Sequence, residues 1–258
     1  MNFFACPLTL LIMSFSLAEI AINCRESIDL FEKYELDYYQ NGKQTLEDAC
    51  KEKKLSFSEI DNELNLLQKQ PKNNSLYINM GELGITQLLY YINGEYHSKE
   101  ETILSHIHTT IQKVLKEKTE KKSFTQLVEN IEEIFNDLKK KFIQHCDNEE
   151  KILFPYVKKL LEARRCETNL LSHKISLLKT PIRMLENEHK EAAIVLSDIK
   201  KWTDNFFIPD NAPETFRTMM RGFKAFEKDF HNHLHIENNI LFPKLIALEE
   251  ELNNKIYI

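Results

Sequence analysis

The sequence predicts an all-α protein, an antiparallel four-helix bundle preceded by a small helical N-terminal domain. Three observations carry that expectation. Only 5 Gly and 7 Pro occur among 258 residues, of which 42% are hydrophobic and 29% charged, a composition with few chain breakers and enough apolar content for a sizeable core. From about residue 83 onward apolar residues recur at helical spacing in four long runs, and no β-rich segment stands out. Finally, His145-Cys146-Asp147-Asn148-Glu149 and His233-Leu234-His235-Ile236-Glu237 repeat a His-x-x-x-Glu pair, each copy ending six residues before a proline and leading into Ile-Leu-Phe-Pro.

The first eighteen residues carry no charge, and Phe3 to Leu17 is largely apolar. The run lacks the basic n-region of a signal peptide and contains Pro7, Thr9, Ser14 and Ser16. Ser16-Leu-Ala-Glu19 is a capping box that would start a new helix within it. The expectation is a chain without signal or anchor, beginning at Met1 or Met13. Further short helices are expected around Ile28, Phe31 and Tyr34, from Thr45 after an Asn41-Gly42 turn, and from a Ser56-x-x-Glu59 box. They make a small domain over residues 1–72. The polar stretch Gln70-Pro71-Lys72-Asn73-Asn74-Ser75 is the expected linker.

Four helices of bundle length are expected beyond it, over about 83–117, 123–163, 169–206 and 214–252, within a bundle domain spanning 80–253. Pro209-Asp210-Asn211-Ala212-Pro213 makes the last joint. His97 falls on the first helix, His145 and Glu149 on the second, His189 on the third, and His233 and Glu237 on the fourth.

Residues four apart share a helix face, so each His-x-x-x-Glu offers an imidazole and a carboxylate to one point. A further histidine precedes each copy, His97 by 48 residues and His189 by 44. The faces are otherwise apolar: Leu138, Phe142, Ile152 and Leu153 flank His145, and Phe226, Phe230, Ile240 and Leu241 flank His233. An ionised carboxylate on such a face costs several kcal/mol to bury unless it is paired or binds a metal. Metal ligation is therefore the expected role of His97, His145, Glu149, His189, His233 and Glu237. Four imidazoles and two carboxylates suit two metals, each with two histidines and with the glutamates bridging. Ligand type leaves zinc, iron, copper, nickel and manganese open, while a carboxylate-bridged pair inside a helix bundle favours iron or manganese. Ferritin-like sites use Glu-x-x-His, so the His-x-x-x-Glu order points to a hemerythrin-like site instead.

The remaining residues have plainer readings. His106, His108 and His173 have no Glu at the repeated spacing and are expected at the surface or between helices. His231 and His235 are four apart and could chelate by themselves, but the first copy has Ile143 and Asp147 there, so the duplication selects His233. A supporting role for His235 or Asp147 stays open. Five cysteines, Cys6, Cys24, Cys50, Cys146 and Cys166, form no C-x-x-C pair, which fits a reducing cytoplasm. Cys146 is rotated away from His145 and reads as core filler. The formal charge of -6, with no basic stripe, argues against a nucleic-acid surface. No Ser-His-Asp constellation, phosphate-binding glycine loop or dinucleotide fingerprint is present.

The arrangement resembles the RIC (repair of iron centres) family, the ScdA/YtfE-like group of hemerythrin-like di-iron proteins. In the bundle the resemblance rests on Glu95-Tyr96-His97, His145 to Pro155, Glu188-His189-Lys190-Glu191-Ala192 and, most specifically, His233 to Pro243. In the small domain it rests on Ser16 to Ile22, Leu30 to Tyr34 and Gly42 to Cys50. It implies two non-haem iron ions in a carboxylate-bridged centre and a part in repairing iron-sulfur clusters after oxidative or nitrosative damage, by supplying iron or by removing nitric oxide. Damaged iron-sulfur proteins would be the clients, with no nucleic acid or membrane involved and with room for a homodimer. A hemerythrin-like oxygen or nitric oxide binder, and a di-iron oxidase or nitric oxide reductase, are the alternatives. One departure is clear. The family's small domain usually carries adjacent cysteines in an Asp-Tyr/Phe-Cys-Cys-Gly-Gly stretch, where this chain has Asp37-Tyr38-Tyr39-Gln40-Asn41-Gly42, which puts any thiol step in doubt.

Overall fold

The computed structural model describes residues 15–69, 79–116, 122–166 and 178–255. Among the described residues the regular elements are helical, and Ser16 and Thr45 form an isolated antiparallel bridge. None of their helices is long and apolar enough to cross a membrane. The expected linker at 70–75, the beginning of the third expected helix with His173, and the N-terminal stretch with Cys6 and Met13 lie outside the described residues. Two compact units result. One comprises residues 1–84 together with Leu234–Leu241, the other 85–233 together with 242–258.

In the first unit the caps expected from sequence set the helices. The side chain of Ser16 accepts from the Glu19 amide, and Glu19 accepts from the Ser16 amide in return, which opens α1 (Leu17–Asn23). The helix α2 (Ser27–Lys33) follows at once. Thr45 caps α3 (Leu46–Lys53) by accepting from the Asp48 amide, and Ser56 accepts from the Glu59 amide ahead of α4 (Phe57–Lys69). Their apolar faces close around Leu17, Phe31, Tyr38, Leu46, Ile60 and Leu64.

The loop after α2 is fastened to the turns Leu234–Leu241 of the same unit. Asn238 donates to the Tyr39 carbonyl at 3.0 Å, Asn239 donates to the Tyr38 carbonyl at 3.1 Å, and the His235 ring meets Tyr38 edge-on at 5.4 Å. Gly42 permits this approach through size alone: a Cβ there would lie 2.6 Å from Asn239 Oδ1 and 2.7 Å from the Tyr38 carbonyl oxygen. The carbonyl is backbone and yields little. Gly42→Ala is therefore expected to cost about 1–3 kcal/mol, read as a lowered midpoint of urea unfolding. An unchanged midpoint would show that the loop shifts freely.

In the second unit the first rod is α5 (Ile85–Tyr91), a π-helical turn at Ile92–His97, and α6 (Ser98–Lys116). The second is α7 (Lys122–Asn148), a π turn at Glu149–Leu153, and α8 (Phe154–Cys166). The third is α9 (Lys179–Trp202). The fourth is α10 (Glu214–Ile236) and α11 (Phe242–Lys255), joined by the π turn Glu237–Leu241, which is counted with the first unit. Within this unit α7 lies against α6 and α9, and α8 against α11. Its aromatic core includes Phe135 edge-on to Phe223 and Phe142 edge-on to Phe226.

Two expectations need correction. The third helix stops at Trp202 rather than 206. Thr203 turns its hydroxyl back to the Ile199 carbonyl, and Asp204, Asn205 and Phe206 then take left-handed conformations at φ 47, 60 and 56°. That reversal is costly for a phenylalanine, and it swings Phe206 into the core, stacked on Phe223 with centroids 6.1 Å apart. The second correction concerns the long rods, which contain π turns where continuous α-helix was expected. Proline explains two of them. Pro155 and Pro243 sit second in α8 and α11, where a proline has no N–H to give and its ring crowds the carbonyl four residues back. An extra residue in the preceding turn relieves this, and the Phe154 amide bonds to Glu149 instead. The register change turns Ile152 outward, 65% exposed, and puts Leu153 and Phe154 inside. The expected place of Ile152 beside His145 is therefore wrong.

Candidate metal centre

Five of the six ligands expected from sequence are placed by a helix end or a π turn. His97 closes the π turn of the first rod, Glu149 and Glu237 each open one, and His145 and His233 lie four residues before those glutamates in the last turn of α7 and near the end of α10. His189 sits in the middle of α9. All six are buried, with Glu149, His233 and Glu237 at 0% exposure.

Their donor atoms form two groups that could hold a metal ion. One comprises His97, Glu149, His233 and Glu237, the other His145, His189 and Glu237, with the ligand atoms of each group within 4.8 Å of one another. Glu237 is common to both. Within the first group His97 Nε2 lies 3.1 Å from Glu149 Oε2, within the second His189 Nε2 lies 3.2 Å from His145 Nε2, and between the groups His145 Nε2 lies 3.7 Å from Glu149 Oε2. Two carboxylates and four imidazoles in a dry interior fit a pair of cations chemically, since each buried carboxylate is costly without positive charge beside it.

Behind the ligands stands a set of carboxylates that sequence reading gave no role. Glu150 lies 2.7 Å from His97 Nδ1, Glu188 3.0 Å from His145 Nδ1, and Glu100 2.8 Å from His233 Nδ1. An ionised carboxylate only accepts, so each imidazole donates through Nδ1 and leaves the lone pair of Nε2 for a cation. The hydrogen bond from His145 holds the Glu188 carboxyl below its ordinary range against the opposing effect of burial. Signals for these residues were present: Glu188 precedes His189, Glu150 follows Glu149, and Glu100 lies one turn beyond His97. What chain order lacks is which histidine each one faces.

A cavity of about 420 Å³ between α7 and α9 is lined by His145, Glu188 and His189. Phe142, Phe230 and Ala192 line its apolar wall, and Asp137, Lys141 and Glu191 stand among its polar residues. Lys141 pairs with Asp137 at 3.2 Å and with Glu191 at 3.4 Å.

Other residues fall outside both groups. His235 faces Tyr38, and burial pushes its pKa down to about 4, leaving it neutral. Neither it nor His231 enters either group of donor atoms, and the contacts of His235 are directed to the Tyr38 loop. Asp147 pairs with Lys151 at 2.7 Å on the outside of its helix. His106 is exposed. Cys146 is half-buried rather than core filler, because it sits at the flank of the helix beside His145. At the two positions that depart from the family pattern, Tyr39 packs edge-on against Tyr38 at 5.4 Å, and Gln40 donates its amide to Asp37. Cys24 and Cys50 do not replace the missing pair. Both are buried, and burial pushes both thiols up, away from the reactive thiolate.

Comparison with known proteins agrees with this geometry. Residues 95–245 match the hemerythrin HHE cation binding domain, and residues 14–68 match ScdA_N, a domain of unknown function. The chain is 29% identical over 233 residues to an iron-sulfur cluster repair protein YtfE of Enterobacter sp. (strain 638), covering 90% of this chain and 97% of that one. It is 28% identical over 235 residues to the protein of that name from Pectobacterium atrosepticum, covering 91% and 97%. A third, from Escherichia coli, is 29% identical over 233 residues, covering 90% and 97%. With the HHE domain spanning more than half its length and the ScdA_N domain ahead of it, the chain belongs to the hemerythrin HHE cation-binding family, in its RIC/ScdA-like branch.

Proposed function

We propose that this chain is a di-iron protein that takes part in restoring damaged iron-sulfur clusters by supplying iron. In this reading His97, His145, Glu149, His189, His233 and Glu237 hold two non-haem irons, with carboxylate bridging between them. The observation that carries it is the donor set itself: four imidazoles and two carboxylates, all buried, gathered into two groups that share Glu237. Thiolates, which would hold iron more tenaciously, are missing from both groups, so bound iron can be given up. The relatives' names, iron-sulfur cluster repair proteins, supply the process.

The residues divide the work. The imidazoles present Nε2 inward because Glu150, Glu188 and Glu100 occupy Nδ1. Glu150 and Glu188 are partly exposed, so water and competing cations reach the supports of His97 and His145 without the core opening. The cavity at His145 and His189 offers a path for exchange. The clients are damaged iron-sulfur proteins of a reducing cytoplasm, and the handover proceeds without an adjacent cysteine pair at Tyr39-Gln40.

The test is to load the purified protein with iron and incubate it with an apo-ferredoxin and a sulfide source. Iron is expected to leave this chain and a cluster absorbance to appear on the acceptor, at a rate above that of free chelated iron. A second reading, a binder of nitric oxide or oxygen, draws on the apolar wall of Phe142, Phe230 and Ala192 beside His145 and His189. Iron that stays on the chain through the transfer assay while nitric oxide binds reversibly would favour it.

A further inference from the structure

Each of three histidines in the site is backed at Nδ1 by a carboxylate, but the three carboxylates are unlike. The side chains of Glu150 and Glu188 are 37% and 35% exposed, whereas that of Glu100 is 0% exposed, as is that of His233. Water screens the first two charges and not the third. Glu100 Oε2 stands 2.8 Å from His233 Nδ1, while Oε1 is buried and has no hydrogen-bond partner among the described residues. The bond with His233 is thus the one hydrogen bond of this fully buried carboxylate among the described residues, an expensive arrangement unless positive charge lies close by. Glu100 itself enters neither group of ligand atoms. Whatever it does for a metal, it does through His233.

His233 is also held by aromatic rings. Tyr96 stacks on it with centroids 5.2 Å apart and planes at 13°, and Phe142 meets it edge-on at 6.4 Å. Tyr96, His97 and Glu100 come from one stretch of the first rod, at the junction of its π turn with α6. That stretch therefore supplies one ligand and fixes another that arrives from α10.

We propose that Glu100 is a positioning residue that locks His233 with Nε2 toward the metals and, as an unscreened negative charge, biases the bound pair toward its more oxidised state. The inference rests on the di-iron reading above. Its sign follows from Coulomb's law: a fixed negative charge stabilises the state with more positive charge, so removing it raises the reduction potential. A residue that only filled space would leave the potential where it was.

The test compares wild type, Glu100→Gln, Glu100→Leu and, as a screened control, Glu150→Gln. Iron per chain and the midpoint potential are measured on the loaded proteins, and the protonated nitrogen of the His233 ring is assigned by nitrogen-proton NMR on the metal-free ones. Glu100→Gln keeps the shape and an accepting oxygen. It is expected to retain iron while the oxidised-to-reduced preference falls at least about tenfold, about 59 mV upward for a one-electron couple, with a smaller shift in Glu150→Gln. Glu100→Leu is expected to weaken iron binding about 10–100-fold and to free the His233 proton from Nδ1. A potential in Glu100→Gln equal to wild type or to Glu150→Gln, or a His233 proton on Nε2 in the wild type, overturns the proposal. An iron-free wild type overturns the di-iron reading instead, and shows itself in the iron count before any variant is compared.

Discussion

On the di-iron reading proposed above, Glu237→Ala is expected to lose both metals, leaving a small fraction of an iron per chain against about two expected in the wild type. Glu237 is the carboxylate common to both groups of donor atoms, whereas Glu149 belongs to one. Removing a shared ligand leaves each cation short of a negative charge in a dry interior, where the remaining neutral imidazoles do not replace it. Glu149→Ala should therefore lose less, with the His145, His189 and Glu237 group keeping its donors. Elemental analysis of the two variants, purified in parallel from iron-sufficient cells, checks both the direction and the order. Equal iron in wild type and Glu237→Ala would remove the metal assignment and leave a helical interaction domain.

Phe223→Ala is expected to be the most damaging of these substitutions to the fold itself. The ring is fully buried, edge-on to Phe135 of α7 at 5.5 Å and stacked on Phe206 at 6.1 Å. Deleting it costs the transfer free energy of the ring and leaves a cavity, about 3–5 kcal/mol in well-packed cores. It also takes away the partner of Phe206, whose left-handed backbone is held by that contact and by the bond from its amide to Thr203. The melting temperature should fall by roughly 10 °C, with loss of ordering in the turn after α9. A fall of one or two degrees would mean that the neighbouring rings close the gap.

Local signals were legible because they depend on few residues. Ser16, Thr45 and Ser56 cap the helices that they were expected to cap, since a cap is a bond between residues three apart. The four-helix bundle was legible because the apolar stripe of each helix has to be buried somewhere, and four long stripes have few ways to do it. Two copies of His-x-x-x-Glu keep their spacing, and that repeat singled out six residues whose side chains the structure gathers. Each single histidine says little.

What failed did so where a helix departs from the ideal. Ile152 was assigned inward by counting seven residues from His145 on a regular helix, and the π turn at Glu149–Leu153 displaces that count by a residue. Pro155 is the visible cause, yet a proline near a helix start is ordinarily harmless, so its meaning depends on the helix continuing through it. Phe206 was assigned to a helix because it continues the apolar periodicity of residues 169–206, whereas packing against Phe223 holds it in a left-handed conformation after the helix has ended.

The sequence by itself determined the helical class, the small domain ahead of a bundle, the donor types and the missing cysteine pair, because all of these follow from composition, period and spacing along the chain. Tertiary structure alone decided which His and Glu side chains come together, which glutamate stands behind each histidine, and that Glu100, 133 residues from His233 in the chain, is its buried partner. Those are distances between residues remote in sequence, and they are set by how helices pack and where their turns widen.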